Sequence, residues 1–148
     1  KGISTAIHTK SNTDGIRTII SESKRISDGL IFTNLVDFDQ LYGHRNDAVG
    51  FAKCLEEFDA TIPDVIATLH NDDWLIITAD HGNDPVTPST DHSREYVPVL
   101  CFSKKGKQGI NFGVRSSFAD LGKTVGEMFG VNTEKCSLDG TSFYSLIR

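Results

Sequence analysis

Short apolar runs rich in β-branched residues alternate with longer stretches of helical periodicity along this 148-residue chain, and that alternation indicates the fold class. Three runs have the character of buried strands, at residues 30–36, 74–79 and 97–102. Apolar residues recur every three or four positions over 45–69, and 117–129 repeats that pattern after the third run. Strands separated by helices predict an α/β fold with a mostly parallel sheet flanked by helices.

Local signals refine the helical segments. A polar loop at 10–13 leads into a short amphipathic pattern at 14–24, which predicts a helix. Pro63 lies inside the longest helical pattern and should kink the helix or divide it in two. Gly130 is expected to end the helix before it, and a last short helix is expected over 141–146. The sequence shows no internal repeat and no second domain.

Charge and cysteine usage exclude some classes of partner. A net charge of −5 argues against binding a nucleic-acid backbone, although it leaves small phosphorylated substrates open. No apolar run approaches the roughly 18 to 20 residues that a membrane-spanning helix needs. Cys54, Cys101 and Cys136 are odd in number and far apart, which predicts free thiols in a reducing cytoplasm. We therefore expect a cytoplasmic protein with no nucleic-acid or membrane partner.

Side chains that can bind metal follow two of the predicted strands. The first strand runs into an Asp-Phe-Asp block and then a histidine, and the second runs into an Asp-His pair. A further histidine stands eleven residues after that pair. The candidate ligands are Asp37, Asp39, His44, Asp80, His81 and His92.

The donor types in these loops indicate a metal site. Ligands of parallel α/β sheets bind beyond the carboxyl ends of the strands, and neighbouring strands lie only about 4.8 Å apart. A lone aspartate there often caps a helix, and a lone loop histidine is often solvated, so the concentration of candidates carries the argument. Oxygen and nitrogen donors without thiolate suit Mn²⁺, Zn²⁺ or Fe²⁺, and five or more ligands suggest two ions. Spacing leaves Asp37 and Asp39 as rivals, since strand alternation sends both in one direction.

Segment 75–84 (LIITADHGND) resembles the strand and ligand signature of the alkaline phosphatase superfamily. Within that superfamily, segments 34–39 (NLVDFD), 42–45 (YGHR) and 90–98 (TDHSREYVP) resemble the phosphopentomutase family. Asp-His-Gly alone occurs in many metallohydrolases, whereas these blocks in this order are specific. The resemblance covers nearly the whole chain, over residues 9–143.

The resemblance implies an active site with two manganese ions. Asp39, His44 and His92 would hold one ion, and the family position is what favours this aspartate over its rival. Asp80 and His81 would hold the other ion, together with an aspartate from the N-terminal part of the family's core. Family members move phosphate between the C1 and C5 oxygens of ribose or deoxyribose, through a phosphorylated threonine and a bisphosphorylated sugar. The implied partner is therefore a small phosphosugar, and the sequence leaves the choice between ribose and deoxyribose open.

The chain also departs from the family. Members are more than twice this length and carry a metal-binding aspartate, the nucleophilic threonine and an inserted cap domain before the region matched here. Thr78, Thr87 and Thr90 do not stand in the nucleophile's context. The resemblance thus implies that residues 1–148 form the C-terminal part of an incomplete alkaline-phosphatase-like core, without the N-terminal segment and cap. We expect such a chain to bind a divalent ion and to lack mutase activity alone.

Two alternatives remain open at the level of sequence. Another enzyme of the superfamily, such as a cofactor-independent phosphoglycerate mutase or a phosphodiesterase, would carry a similar Asp-His signature. The Asp-Phe-Asp block and segment 90–95 favour a pentomutase. A non-catalytic metal-binding module would explain the missing nucleophile.

Overall fold

The computed structural model describes residues 2–132 and 135–148. The elements in these ranges are, in chain order, α1 (Asn12–Arg25), α2 (Ala48–Asp59), α3 (Ile62–Thr68), β1 (Leu75–Thr78), β2 (Val99–Phe102), α4 (Ala119–Met128) and α5 (Tyr144–Ile147). A π-helical turn, Phe38–Tyr42, and a 3₁₀ turn, Gly43–Arg45, lie between α1 and α2. Within the described ranges, the helices are all too short or too polar to cross a bilayer.

The chain divides into two compact units. The first unit contains Lys1–Leu69 and His81–Val97, and the second contains His70–Asp80 and Pro98–Arg148. Helices α1, α2 and α3 and both short turns therefore belong to the first unit. The strands and helices α4 and α5 belong to the second.

The helices follow the local signals in the sequence. Helix α1 begins two residues before the predicted start, because the Ser11 hydroxyl accepts a hydrogen bond from the Asp14 backbone N–H at 3.2 Å. Pro63 divides the long helical pattern, as predicted, and lies in the first turn of α3, where its missing N–H costs no helical hydrogen bond. Gly130 follows the end of α4 with a φ of +66°. The last helix, α5, also forms, slightly later than predicted.

The sheet corrects the predicted topology. Leu75 pairs with Phe102 and Thr78 with Val99, so β1 and β2 run antiparallel in a two-stranded sheet. The prediction of a mostly parallel sheet is wrong for the described residues. A parallel pair needs a crossover, usually a helix, to return the chain to the same end of the sheet. Residues 79–98 contain no helix, so the chain re-enters the sheet at the end where it left.

The predicted first strand, residues 30–36, does not form a strand. Two of its side chains, Leu35 and Thr33, contact α1 at Gly15, whereas Leu30 and Phe32 are exposed. A Cβ at Gly15 would lie 2.9 Å from Leu35 Cδ2 and 3.5 Å from Thr33 Cγ2. Part of the run therefore contacts a helix, and among the described residues the run has no strand neighbour.

A buried polar clamp supports the second unit. Asp120 is 1% exposed and accepts hydrogen bonds from Arg115 Nε at 2.9 Å and the Thr141 N–H at 2.8 Å. The Thr124 hydroxyl accepts from the Phe143 N–H at 3.0 Å. These bonds fix the chain before α5 against α4, because each buried polar group has a partner.

The three cysteines are free thiols, as predicted, and they differ in burial. Burial raises the pKa of Cys101 to about 11 and also raises the pKa of Cys54, while Cys136 is exposed. Because the thiolate is the nucleophile, we expect iodoacetamide at pH 7.5 to label Cys136 far faster than the other two in the folded chain. Mass spectrometry of labelled peptides measures this, and equal labelling of Cys101 and Cys136 would contradict it.

The raised pKa of Cys101 also has a consequence for stability. Burial favours the neutral thiol of Cys101 in the folded chain. The free energy by which this buried neutral thiol stabilises the fold should be complete below pH 9 and should be lost as pH rises towards 11. Urea unfolding at pH 8 and pH 10 should therefore show a smaller loss of stability for the Cys101→Ala variant than for the unsubstituted chain.

Candidate metal centre

The π-helical turn Phe38–Tyr42 positions the first aspartate of the site. Its Phe38 ring packs on α2, with ring centroids 5.9 Å from Phe51 and 6.1 Å from Phe58. Asp37, just before the turn, has helical dihedral angles (φ −64°, ψ −31°). Residues two apart in a helical segment do not face the same way. The expectation that Asp37 and Asp39 point together is therefore wrong, because the backbone is helical here rather than extended.

Four of the predicted side chains converge in the first unit. Asp39, His81 and His92 each offer a ligand atom, and the three atoms lie within 4.8 Å of one another. His92 Nε2 lies 3.4 Å from Asp39 Oδ1. His44 Nε2 lies 3.4 Å from Asp39 Oδ2 and 3.2 Å from His92 Nε2. The His81 and His92 rings stack with centroids 3.7 Å apart. We refer to Asp39, His44, His81 and His92 as the ligand cluster.

Backbone carbonyl groups orient two of the imidazoles. His44 Nδ1 lies 2.5 Å from the carbonyl oxygen of Thr90, and His81 Nδ1 lies 3.2 Å from that of Gly82. A carbonyl oxygen only accepts, so Nδ1 carries the proton in each contact, and a neutral ring held in this way has its Nε2 lone pair for a metal. Metal-binding histidines in proteins commonly use their second nitrogen in this way.

The loop after β1 folds back on itself to bring two histidines side by side. Gly82 and Ser93 form an isolated antiparallel bridge, in which the Ser93 N–H donates to the Gly82 carbonyl at 3.1 Å. A Cβ at Gly82 would lie 2.5 Å from the Ser93 carbonyl oxygen and 2.6 Å from the Glu95 nitrogen. Only glycine therefore permits this approach. The bridge places His81 and His92, each adjacent to one of its residues, on the same side of the loop.

Asn83 is a residue of this site that the sequence reasoning did not single out. Its Nδ2 donates to Asp39 Oδ1 at 2.9 Å. A Cβ at Gly43 would lie 2.1 Å from Asn83 Nδ2, so the glycine makes room for this amide. Asn83 stands inside the Asp-His-Gly-Asn-Asp segment, which marks it as a residue near the site. Its hydrogen-bond partner is 44 residues away in the chain, so the sequence pattern does not indicate this contact.

Two of the sequence candidates lie outside the ligand cluster. The Asp37 carboxylate accepts a hydrogen bond from the Asn12 backbone N–H at 2.7 Å. Asp80 precedes His81 in the chain and is assigned to the second unit. The structure thus brings together Asp39, His44, His81 and His92.

The donor set fits a divalent transition ion. Bonds of about 2.0–2.2 Å from such an ion to nitrogen and oxygen hold its ligand atoms roughly 3 to 4.4 Å apart. The separations of 3.2 to 3.4 Å within the ligand cluster match that range. Carboxylate and imidazole donors suit Mn²⁺, Zn²⁺ or Fe²⁺. The cluster is reachable from solvent, because the Asp39, His44 and His92 side chains are 30%, 39% and 48% exposed.

Comparison with known proteins agrees with this chemistry. Residues 1–133 match the family model described as the Metalloenzyme superfamily. The chain is 52% identical over 147 residues to a phosphopentomutase of Dictyoglomus turgidum, covering 99% of this chain and 36% of that protein. It is 53% identical over 148 residues to a phosphopentomutase of Thermotoga maritima, covering 99% of this chain and 37% of that protein. A phosphopentomutase of Acetivibrio thermocellus is 50% identical over 147 residues, again with 99% and 37% covered.

The chain thus spans a little over a third of the length of the curated relatives that it matches. Almost all residues of the chain take part in each match, and the sequence identity to each of the three relatives is about one half. These findings confirm the resemblance identified in the sequence. The chain belongs to the metalloenzyme superfamily.

Proposed function

We propose that this chain supplies the metal-binding part of a phosphopentomutase, an enzyme that interconverts the 1-phosphate and 5-phosphate of ribose or deoxyribose. The observation that carries the proposal is the ligand cluster of the first unit, with three imidazoles around one carboxylate. Relatives about 50% identical over almost all of this chain carry the name phosphopentomutase, which supports the reaction. The chain spans about 37% of their length, so most of such an enzyme lies outside these 148 residues.

The proposed cofactor is manganese, with two ions in the complete active site. Asp39, His44 and His92 hold one ion, while Asp80 and His81 hold the other with an aspartate from outside this chain. The family resemblance supports that division. The separations within the ligand cluster support binding of a divalent ion, and the family resemblance supports manganese as that ion.

Divalent ions in such a site neutralise charge on the transferring phosphoryl group and help to ionise the attacking hydroxyl. The residues of this chain prepare the ligands for that task. The Thr90 carbonyl holds His44 with its Nε2 towards the ligand cluster, and Asn83 fixes one oxygen of Asp39. Asn83 thereby orients the carboxylate while the other oxygen, Oδ2, stays next to His44 Nε2.

The phosphorylated threonine belongs to the part of the enzyme outside this chain. Among the threonines near the ligand cluster, the Thr87 hydroxyl donates to the Asp84 carbonyl at 3.0 Å. Thr90 contributes its backbone carbonyl to His44. Neither is assigned as a nucleophile, so the isolated chain should bind metal without turning over phosphosugar.

The test measures binding and activity separately. Titration with MnCl₂ by isothermal calorimetry should show binding to the isolated chain, and an assay with ribose 5-phosphate should show no turnover. For activity, this chain replaces the matching 37% of the Thermotoga maritima phosphopentomutase in a chimera. The chimera should interconvert ribose 1-phosphate and ribose 5-phosphate, and the same chimera with Asp39→Ala should not.

Each outcome separates the alternatives. A folded chimera that acts on 3-phosphoglycerate and leaves ribose phosphates untouched would favour a phosphoglycerate mutase. A folded chimera that binds manganese without either activity would favour a non-catalytic metal-binding module. Turnover of ribose 5-phosphate by the isolated chain would contradict the placement of the nucleophile outside it.

A further inference from the structure

Asn12 and Asp37 form a reciprocal pair of hydrogen bonds between the start of α1 and the residue before the π-helical turn. The Asn12 backbone N–H donates to Asp37 Oδ2 at 2.7 Å, and the Asp37 backbone N–H donates to Asn12 Oδ1 at 3.0 Å. Asn12 is 6% exposed, so both bonds are largely shielded from water. We call this pair the clasp.

The clasp is not needed to cap the helix. Ser11 already performs that role, since its hydroxyl accepts from the Asp14 N–H. The Asn12 side chain is therefore available for a different contact, and it reaches across to two other elements. Its Oδ1 binds the Asp37 backbone, and its Nδ2 lies 3.5 Å from the Cys54 sulfur on α2. Burying an asparagine amide without hydrogen-bond partners is costly, and these two contacts provide partners for the buried Asn12 amide.

The chain entering the metal-binding turn lies outside the sheet, and its Leu35 and Thr33 side chains contact α1 at Gly15. Residues 30–36 have no strand neighbour among the described residues, so no sheet hydrogen bonds fix the approach to Asp37. After Asp37, the Gln40 N–H donates to the Val36 carbonyl at 2.9 Å, and Phe38 packs on α2. The clasp is thus a pair of hydrogen bonds that ties the residue before this turn to the start of α1.

We propose that Asn12 and Asp37 are positioning residues for Asp39. Both precede Asp39 in the chain, whereas Asn83 follows it. Asn83 orients the carboxylate directly at Oδ1, whereas the clasp orients the backbone that carries it. Metal ligands must be held within about 0.5 Å of their working geometry, so loosening the turn should weaken metal binding without removing a ligand. The inference rests on the proposed function only in taking Asp39 as a ligand.

The test uses the 148-residue chain and Mn²⁺ alone as the probe. Asn12→Ala should lower Mn²⁺ affinity by about 10- to 100-fold, the usual effect of losing an outer partner of a metal ligand. Asn111→Ala is the matched control. That asparagine also accepts a backbone N–H, from Gly113 at 2.9 Å, but it belongs to the second unit and is exposed, so its loss should leave affinity unchanged.

A double exchange distinguishes positioning from general support of the fold. Each partner in the clasp needs only one side-chain oxygen to accept a backbone N–H, which both asparagine and aspartate provide. Asn12→Asp alone brings two carboxylates together and should weaken Mn²⁺ binding. Combining it with Asp37→Asn restores one carboxylate and one amide. The Mn²⁺ affinity of this double variant should return to within about threefold of that of the unsubstituted chain. The remaining difference reflects the lost contact between the Asn12 amide and Cys54.

Mn²⁺ electron paramagnetic resonance is the second readout. The Asn12→Ala spectrum should show altered zero-field splitting, because the carboxylate is displaced, and the double exchange should restore the original spectrum. Unchanged affinity in a folded Asn12→Ala chain would overturn the proposal. So would a folded double exchange that fails to recover binding, even where Asn12→Ala itself does not fold. Absence of Mn²⁺ binding by the unsubstituted chain would instead overturn the proposed metal centre.

Discussion

Asp39→Ala should reduce the Mn²⁺ affinity of the chain by more than about 100-fold, a larger effect than loss of an outer partner. Asp39 provides the carboxylate of the ligand cluster, with one oxygen 3.4 Å from His92 and the other 3.4 Å from His44. Removing it takes away both an ionic ligand and the group around which the imidazoles are arranged. Calorimetric titration with MnCl₂ measures the loss, and circular dichroism checks that the variant is folded.

Asp91→Ala is the matched control for that experiment. It removes the same charge from an exposed position next to His92 in the chain, and Asp91 is not among the grouped ligand residues. Its affinity should stay within about threefold of the unsubstituted chain, since exposed charges are well screened. Equal losses in the two variants would show that overall charge, rather than a ligand, explains the effect of Asp39.

Gly82→Ala should destabilise the chain by about 1–3 kcal/mol and weaken Mn²⁺ binding as well. The added Cβ would meet the Ser93 carbonyl oxygen at 2.5 Å and the Glu95 nitrogen at 2.6 Å. Both are backbone atoms, so no side-chain rotation relieves the contact and the Gly82–Ser93 bridge must open. Opening it separates His81 from His92, which links the loss of stability to the loss of metal affinity.

Gly122→Ala provides a control with the opposite sign. Gly122 lies exposed inside α4, and a Cβ there would have nothing within 4 Å. Because alanine is the better helix former, the substitution should stabilise α4 by roughly 0.5–1 kcal/mol and leave metal binding unchanged. Urea unfolding followed by circular dichroism compares the two variants. A Gly82→Ala chain as stable as Gly122→Ala would show that the bridge does not constrain the loop.

Helices were predictable because their signals are local. Three- and four-residue periodicity, the polar loop before α1 and Pro63 in the first turn of α3 act over a single turn or two. The sheet was not predictable in the same way. Apolar runs indicated β1 and β2 correctly, but the relative direction of the two strands depends on the path of residues 79–98. The run at 30–36 does not form a strand, and Leu35 within it contacts α1.

The backbone elements that bring the ligand cluster together differ from those that the sequence predicted. The candidate ligands were predicted to meet because parallel strands end at one edge of a sheet. The structure instead brings Asp39, His44, His81 and His92 together through a π-helical turn, a 3₁₀ turn and a bridged loop within the first unit. Their role as ligands stays a prediction that the titrations above address.

The sequence alone determined which donor atoms are present, because carboxylate and imidazole side chains in these loops define the chemistry wherever the backbone carries them. It also identified the family through blocks of specific order. Spacing left Asp37 and Asp39 as rivals and the family resemblance favoured Asp39, whereas the tertiary structure decided which of the two lies beside the histidines. That choice depends on a helical backbone at Asp37, on Phe38 packing against α2 and on contacts from Asn12 and Asn83, which lie 25 and 44 residues from their partners.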